Sequence, residues 1–257
     1  MSKIIIDLTE EFPTLKAAPS IEAVIHWQAP ASKKLEQEVL QTTLTERLPE
    51  YANVQARQNI QVGMEAANGS PEFFQPIQWN SFRLEDEQNH HVVQFMPSGV
   101  VFSRLEPYET WEVFMAEALR IWHLFVELAE PQNIDRLGVR YINRIPMQRG
   151  EQPSTYLKME PYKLSGINIA PENFFYKEAY KVPDYPYQVQ WVRTIQPQQE
   201  ASSDCESLIF DIDVFTTTLL QLDQGTLTQR LQEMRWLKNK IFFSSITETA
   251  LEQFGSP

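Results

Sequence analysis

Apolar residues recur at steps of three and four between Trp111 and Ala129, and this spacing predicts one amphipathic helix. Polar residues such as Glu112 and Arg120 lie off the stripe, and Pro131 is expected to stop the helix. The stripe consists of Trp111, Phe114, Met115, Ala118, Leu119, Trp122, Phe125, Val126 and Ala129.

Apolar and polar positions alternate over several shorter runs, and this pattern predicts strands. The most regular run covers residues 136–145. Further strands are predicted at 21–28, near 53–64 and 77–84, and at 92–96, 100–104, 174–180, 187–195 and 207–215. Helical spacing predicts further helices from Ser32 to the residue before Pro49, over about 227–241, and after a Ser245-Ile-Thr-Glu248 capping box.

Strands followed by a long helix occur twice along the chain. This order predicts an α+β fold of antiparallel sheets with long amphipathic helices packed on one face. It also raises the hypothesis of two topologically related halves. The expected division is an N-terminal half at 1–145, a connecting segment at 146–172 that is rich in proline, and a C-terminal half at 173–257.

The composition is that of a globular protein, with 42% hydrophobic and 22% charged residues. We expect a cytoplasmic protein, because the chain shows no secretory signal or membrane span and its one cysteine, Cys205, can form no internal disulfide. The net charge of −12 makes nucleic acid a less favoured partner than another protein, although a local basic patch would still allow it.

The strand at 136–145 carries the most distinctive polar residues of the chain. Alternation places Arg136, Arg140 and Arg144 on one face, where they could bind a phosphate, a carboxylate or an acidic protein surface. Gly138 leaves a notch among them. Alternation places Tyr141 on the opposite face, and Tyr141 and Asn143 belong to the same motif and are further binding candidates.

A structural alternative is that these arginines form ion pairs inside the sheet. Asp211 and Asp213 also share one strand face, and cross-strand pairs with arginine would contribute about 0.2–1 kcal/mol each. We favour this interpretation, and keep the two aspartates as secondary binding candidates. Trp191, in an aromatic-rich strand, is another such candidate if it is exposed.

Signatures of catalysis and of cofactor binding are missing from the sequence. The four histidines are placed where chelation is not expected, and the eight glycines are too far apart for a dinucleotide fingerprint or a P-loop. No Gly-x-Ser-x-Gly elbow occurs. We therefore assign no catalytic residue, no metal ligand and no cofactor.

The motif Arg136-Leu-Gly-Val-Arg-Tyr-Ile-Asn-Arg144 resembles the Arg-x-Gly-x-Arg-Tyr-x-Asn-Arg strand of a sporadically distributed bacterial protein family. The segments Pro19-Ser-Ile-Glu22, Tyr108-Glu-Thr-Trp111, Asp211-Ile-Asp-Val-Phe215 and Phe242-Phe-Ser-Ser-Ile246 are similar to its other signatures. The resemblance implies no activity. The patchy distribution of the family suggests phage defence or toxin neutralisation.

The sequence as a whole favours a non-catalytic interaction protein, an adaptor or a neutralising partner that binds another protein. The alternative is a sensor or enzyme that holds a small anion or nucleotide with the arginine-rich strand at 136–144. Oligomeric state and the identity of the partner stay open at this point.

Overall fold

The computed structural model describes residues 4–60, 63–67, 70–74, 77–88, 90–148, 150–159, 173–197 and 205–255. Its strands are β1 Ser20–Gln28, β2 Asn53–Ile60, β3 Gly63–Ala67, β4 Ser70–Phe74, β5 Ile77–Glu85, β6 His91–Met96, β7 Gly99–Leu105, β8 Arg136–Gln148, β9 Phe175–Lys181, β10 Gln188–Pro197 and β11 Cys205–Thr216. Its helices are α1 Gln37–Arg47, α2 Trp111–Ala129, α3 Gln224–Ser245 and α4 Glu248–Gln253, with a 3-10 turn at Pro153–Thr155.

Nine of these strands form one antiparallel sheet in the order β2-β5-β6-β7-β1-β8-β11-β10-β9. The strands β3 and β4 form a separate hairpin. At the centre, β8 pairs with β1 along one side and with β11 along the other. The motif strand at 136–144 therefore lies in the middle of the molecule.

The predicted fold class is wrong. We expected antiparallel sheets with long amphipathic helices packed on one face, but the described chain is mainly a single nine-stranded antiparallel sheet with few helices. The reason is the pairing of β8 with β11, which joins strands that precede and follow the segment at 146–172. Alternation reveals which face a residue takes, but not which strand lies beside it.

The two sheet faces have different environments. One, here called the helix face, receives α2 and α3: Trp122 of α2 stacks on Trp27 of β1 at 5.4 Å, and Phe242 of α3 lies 5.9 Å from Phe210 of β11. The opposite side is here called the open face. Within the described part of the chain, none of the hydrogen bonds and ring contacts of α2 and α3 involves a side chain of the open face.

The prediction of α2 is correct in position and in its buried stripe. Thr110 caps the helix, because its side chain accepts a hydrogen bond from the backbone N–H of Val113. The buried residues include Trp111, Phe114, Ala118, Trp122 and Phe125. Glu130 ends the helix in a left-handed conformation directly before Pro131.

Other predicted boundaries need correction. Helix α1 begins at Gln37 rather than at Ser32, and its N-cap is Glu36. Ser245 is the last residue of α3, where its hydroxyl donates to the carbonyl of Ile241, so Thr247 and not Ser245 caps α4. The strand expected near 53–64 ends at residue 60, and β3 and β4 were not predicted.

The expected connecting segment at 146–172 only partly overlaps the described chain. Residues 146–148 belong to β8, a 3-10 turn follows at Pro153–Thr155, and 160–172 lie outside the described residues.

Candidate functional site

The predicted site residues of β8 lie on two different faces of the sheet. Its positions alternate, so that Leu137, Val139, Tyr141, Asn143 and Ile145 are buried on the helix face. The arginines Arg136, Arg140 and Arg144 lie on the open face. The five motif candidates therefore do not form one site.

Arg140 forms a two-pronged ion pair with Asp211 of β11. Its Nε donates to Oδ1 at 2.9 Å and its NH2 group donates to Oδ2 at 2.7 Å. The residue directly opposite Arg140 in the register is Asp213, so the pair with Asp211 is diagonal. Hydrogen bonding to Asp211, which stabilises the charged guanidinium, raises the pKa of Arg140 above its usual value.

Arg136 is held by contacts that surround its guanidinium group. It donates to Asp213 Oδ2 at 2.8 Å, lies 3.1 Å from His26 Nδ1 and sits 4.4 Å from the centre of the Phe215 ring. A Cβ on Gly138 would come within 2.7 Å of this group. The notch expected at Gly138 is therefore filled by Arg136.

Burial shifts the pKa values of His26 and Asp213, the two titratable groups that contact Arg136. Desolvation, aided by repulsion from Arg136, lowers the pKa of His26 to about 4, so this histidine is neutral at physiological pH. Burial also raises the pKa of Asp213, although the nearby arginines oppose that shift. We call the pairs Arg136–Asp213 and Arg140–Asp211 the arginine-aspartate ladder. It is the arrangement described above as the alternative to an anion site.

A double-mutant cycle on Arg140 and Asp211 tests the ladder. We expect Arg140→Ala and Asp211→Ala each to lower the free energy of unfolding, and the double variant to lose less than the sum of the two. The coupling should be about 0.5–1 kcal/mol, because 46% of the Arg140 side chain is exposed and solvent screens the pair. Chemical denaturation of the four proteins measures this coupling.

Arg144 provides the matched control for that cycle, since it is exposed on the same strand and makes no ion pair with a described residue. Its coupling to Asp211 should be close to zero. Equal coupling of Arg140 and Arg144 to Asp211 would contradict the ladder, because it would reflect only the general charge of the face.

Asn143 is buried and its side chain joins three strands. Its Nδ2 donates to the carbonyl of Phe210 at 2.9 Å, and its Oδ1 accepts from the Ser20 hydroxyl at 2.8 Å. These contacts fall where the register between β1 and β8 shifts. Asn143 therefore ties β8 to β11 and to the start of β1, beside the β-bulge between β1 and β8.

Trp191 lies on the helix face, away from the arginines of β8. It is partly buried, with Phe210 at 5.7 Å edge-to-face and the guanidinium of Arg193 at 3.8 Å over its ring. It thus packs within the sheet-helix layer rather than presenting an exposed stacking platform.

A cavity of about 680 Å³ opens on the helix face beside Tyr141. It lies between the N-terminal arm (residues 8–20), the entry to α2, strand β8 and helix α3. The hydroxyls of Tyr108 and Tyr141 are 2.7 Å apart on its wall, and burial raises the pKa of both tyrosines. The Nζ of Lys238 lies 3.8 Å from the centre of the Tyr141 ring.

Sequence reasoning did not identify Lys238 as a site residue. A signal for it exists, because Lys238 follows the buried Leu231 by seven residues and Met234 by four, and so lies on the inward side of α3. A lysine at such a position is unusual, since its charge has to be solvated or paired.

Among the residues that the structure describes, no three His, Cys, Asp or Glu side chains come together in a way that could hold an ion. No helix in the described ranges is both long and apolar enough to cross a membrane. Comparisons with protein-family models, curated proteins and solved structures find no match to this chain.

Proposed function

We propose that this chain is a non-catalytic interaction protein that binds an acidic surface of a partner protein with its open face. The observation that carries the proposal is the sign of the charge on that face. Among the described strand residues of that face, basic side chains outnumber acidic ones, although the whole chain has a net charge of −12. The basic residues are Arg57, Arg83, Arg136, Arg140, Arg144, Lys177 and Lys181, and the acidic ones are Glu22, Glu85, Asp211 and Asp213.

Three of these cations lie on the same half of the open face and are free to meet a partner. Arg144, Lys177 and Lys181 are exposed, and none of them forms an ion pair with a residue of the described chain. Two strands separate β8 from β9, so Arg144 and Lys177 are roughly 14 Å apart across the sheet and are offset by two residues along the strands. Cations spaced in this way can each contact a separate carboxylate on the surface of a partner protein.

The mixture of basic and acidic side chains on the open face favours a protein partner over nucleic acid. Asp211 and Asp213 lie between the strands that carry the free cations, and they would repel a continuous row of phosphates. Protein surfaces present charges of both signs, so a patterned face gives specificity and faster association.

The second function considered from the sequence, a sensor or enzyme that holds an anion on the strand at 136–144, has less support. Arg136 and Arg140 each bind a carboxylate already. A ligand anion would have to displace Asp213 or Asp211 from its arginine.

Affinity purification from cells of the protein's own source tests the proposal. The tagged chain should retain one partner in stoichiometric amount, and about 0.5 M salt should weaken the complex because exposed charges are screened. The triple variant Arg144→Glu, Lys177→Glu, Lys181→Glu should retain at least about tenfold less partner, which is about 1.4 kcal/mol of binding free energy.

The control reverses three exposed charges elsewhere: Lys33→Glu, Lys34→Glu and Lys158→Glu should leave the complex intact. Retention of the partner by the open-face variant would contradict the proposal, as would co-purification of nucleic acid in place of a protein.

A further inference from the structure

The cavity beside Tyr141 contains a cation without a counter-ion. Lys238 lines the cavity and makes no hydrogen bond or ion pair with any residue that the structure describes. Its ammonium group lies over the face of the Tyr141 ring, 3.8 Å from the ring centre. A cation–π contact of this kind only partly replaces the water that an ammonium group loses on burial.

The nearby carboxylates are engaged elsewhere or lie at the cavity rim. Glu10 binds the indole N–H of Trp236 and the ammonium group of Lys240. Glu112 contacts Arg235 at 3.3 Å, and Glu109 binds Arg104. Lys238 therefore stays available to an anion that enters from solvent.

The other residues that line the cavity indicate what kind of molecule would carry the anionic group. Aromatic side chains dominate the apolar part of the lining: Phe12, Tyr108, Trp111, Trp236, Phe242 and Phe243. A volume of about 680 Å³ falls within the range of small-molecule sites. Among the described residues, Lys238 is the unpaired cation of the lining, since Arg235 contacts Glu112, so the cavity matches a single negative charge better than a multiply charged phosphate.

We infer that this cavity is a binding site for a small carboxylate with an aromatic or apolar body, and that Lys238 binds the carboxylate. The aromatic walls bury the body of the ligand, and the Tyr108 hydroxyl can donate a further hydrogen bond. The site lies on the helix face, so it is separate from the protein-binding open face.

The protonation of Lys238 makes this binding dependent on pH. Burial, with repulsion from Arg235, lowers the pKa of Lys238 from its usual value to about 7, although the open cavity leaves part of the residue exposed. The other charged or titratable groups that line the cavity are Glu10, Glu11, Tyr108, Glu109, Glu112 and Tyr141. As pH rises from 6 to 9, Lys238 loses its proton and the affinity for a carboxylate should fall.

Calorimetric titration with phenylacetate, and with inorganic phosphate for comparison, tests the inference on the full chain. At about pH 6.5 we expect phenylacetate to bind and phosphate to bind more weakly. Lys238→Met should weaken phenylacetate binding by at least about tenfold, because the methionine keeps the length of the side chain without its charge. Lys238→Arg should retain binding and lose the pH dependence between 6 and 9, because arginine stays protonated.

Lys34→Met is the matched control, since Lys34 is exposed and paired with Glu36, and it should bind like the unmodified chain. Thermal unfolding of each variant without ligand shows whether it is folded. The inference is overturned if phenylacetate does not bind to the unmodified chain at about 10 mM, a concentration above the ~1 mM Kd of a binding free energy near −4 kcal/mol. It is also overturned if folded Lys238→Met binds with unchanged affinity, or if phosphate binds more tightly than phenylacetate.

Discussion

Replacement of Trp122 by alanine is expected to lower the free energy of unfolding by about 3–5 kcal/mol. Trp122 is only 1% exposed, and its ring stacks on Trp27 at 5.4 Å and on Phe125 at 5.7 Å. Trp27 lies on β1 near the centre of the sheet, so the variant would leave a cavity between the sheet and α2. Chemical denaturation, followed by far-ultraviolet circular dichroism, measures the loss.

The matched control is Val113→Ala on the same helix. Val113 is 51% exposed, so its truncation should change the free energy of unfolding by less than about 1 kcal/mol. A denaturation midpoint that moves equally little in both variants would mean that α2 is not packed against β1 through Trp122.

The sequence could predict α2 because every signal in that segment agrees. The stripe from Trp111 to Ala129 repeats at helical spacing, Thr110 is a good cap, and Pro131 cannot continue the helix. The strand at 136–145 was predictable for a similar reason, since its alternation is unbroken. Local signals of this strength are set by residues near one another in the chain.

The sheet could not be predicted in the same way, because strand pairing joins distant segments. Nothing in the alternation of β8 indicates that β1 lies on one side and β11 on the other. The hypothesis of two related halves arose from the repeated order of strands and helix. In the structure the two groups of strands form one continuous sheet.

The ladder on the open face and Lys238 on the helix face show the same limit of prediction from sequence. Parity was enough to put the arginines of β8 on one face of their strand and Asp211 and Asp213 on one face of theirs. That the two sets meet, and that Arg140 pairs diagonally with Asp211, depends on a strand order and register that only the structure gives. Lys238 was missed because α3 has a weaker apolar stripe than α2, and because the cavity around this lysine is formed by four separate segments.

Replacement of Gly99 by alanine is expected to lower the free energy of unfolding by about 3 kcal/mol or more. Gly99 opens β7 with a φ of +150°, which side chains rarely adopt. It lies opposite Gln28 of β1, and an added Cβ would approach the carbonyl oxygen of Trp27 to 2.0 Å. Because that oxygen belongs to the backbone, the clash can be relieved only by shifting β1 against β7.

The hairpin around Gly99 cannot easily absorb this shift. The carbonyls of Pro97 and Ser98 accept backbone hydrogen bonds from Ala31 and Ala29, which fix the end of β1 against the turn. Gly225→Ala is the matched control, since an added Cβ there meets only an Asp223 oxygen at 3.6 Å, and alanine favours the helical conformation of α3. We expect that control to be neutral or slightly stabilising. Equal stability of the two variants in chemical denaturation would contradict the close approach of β1 to Gly99.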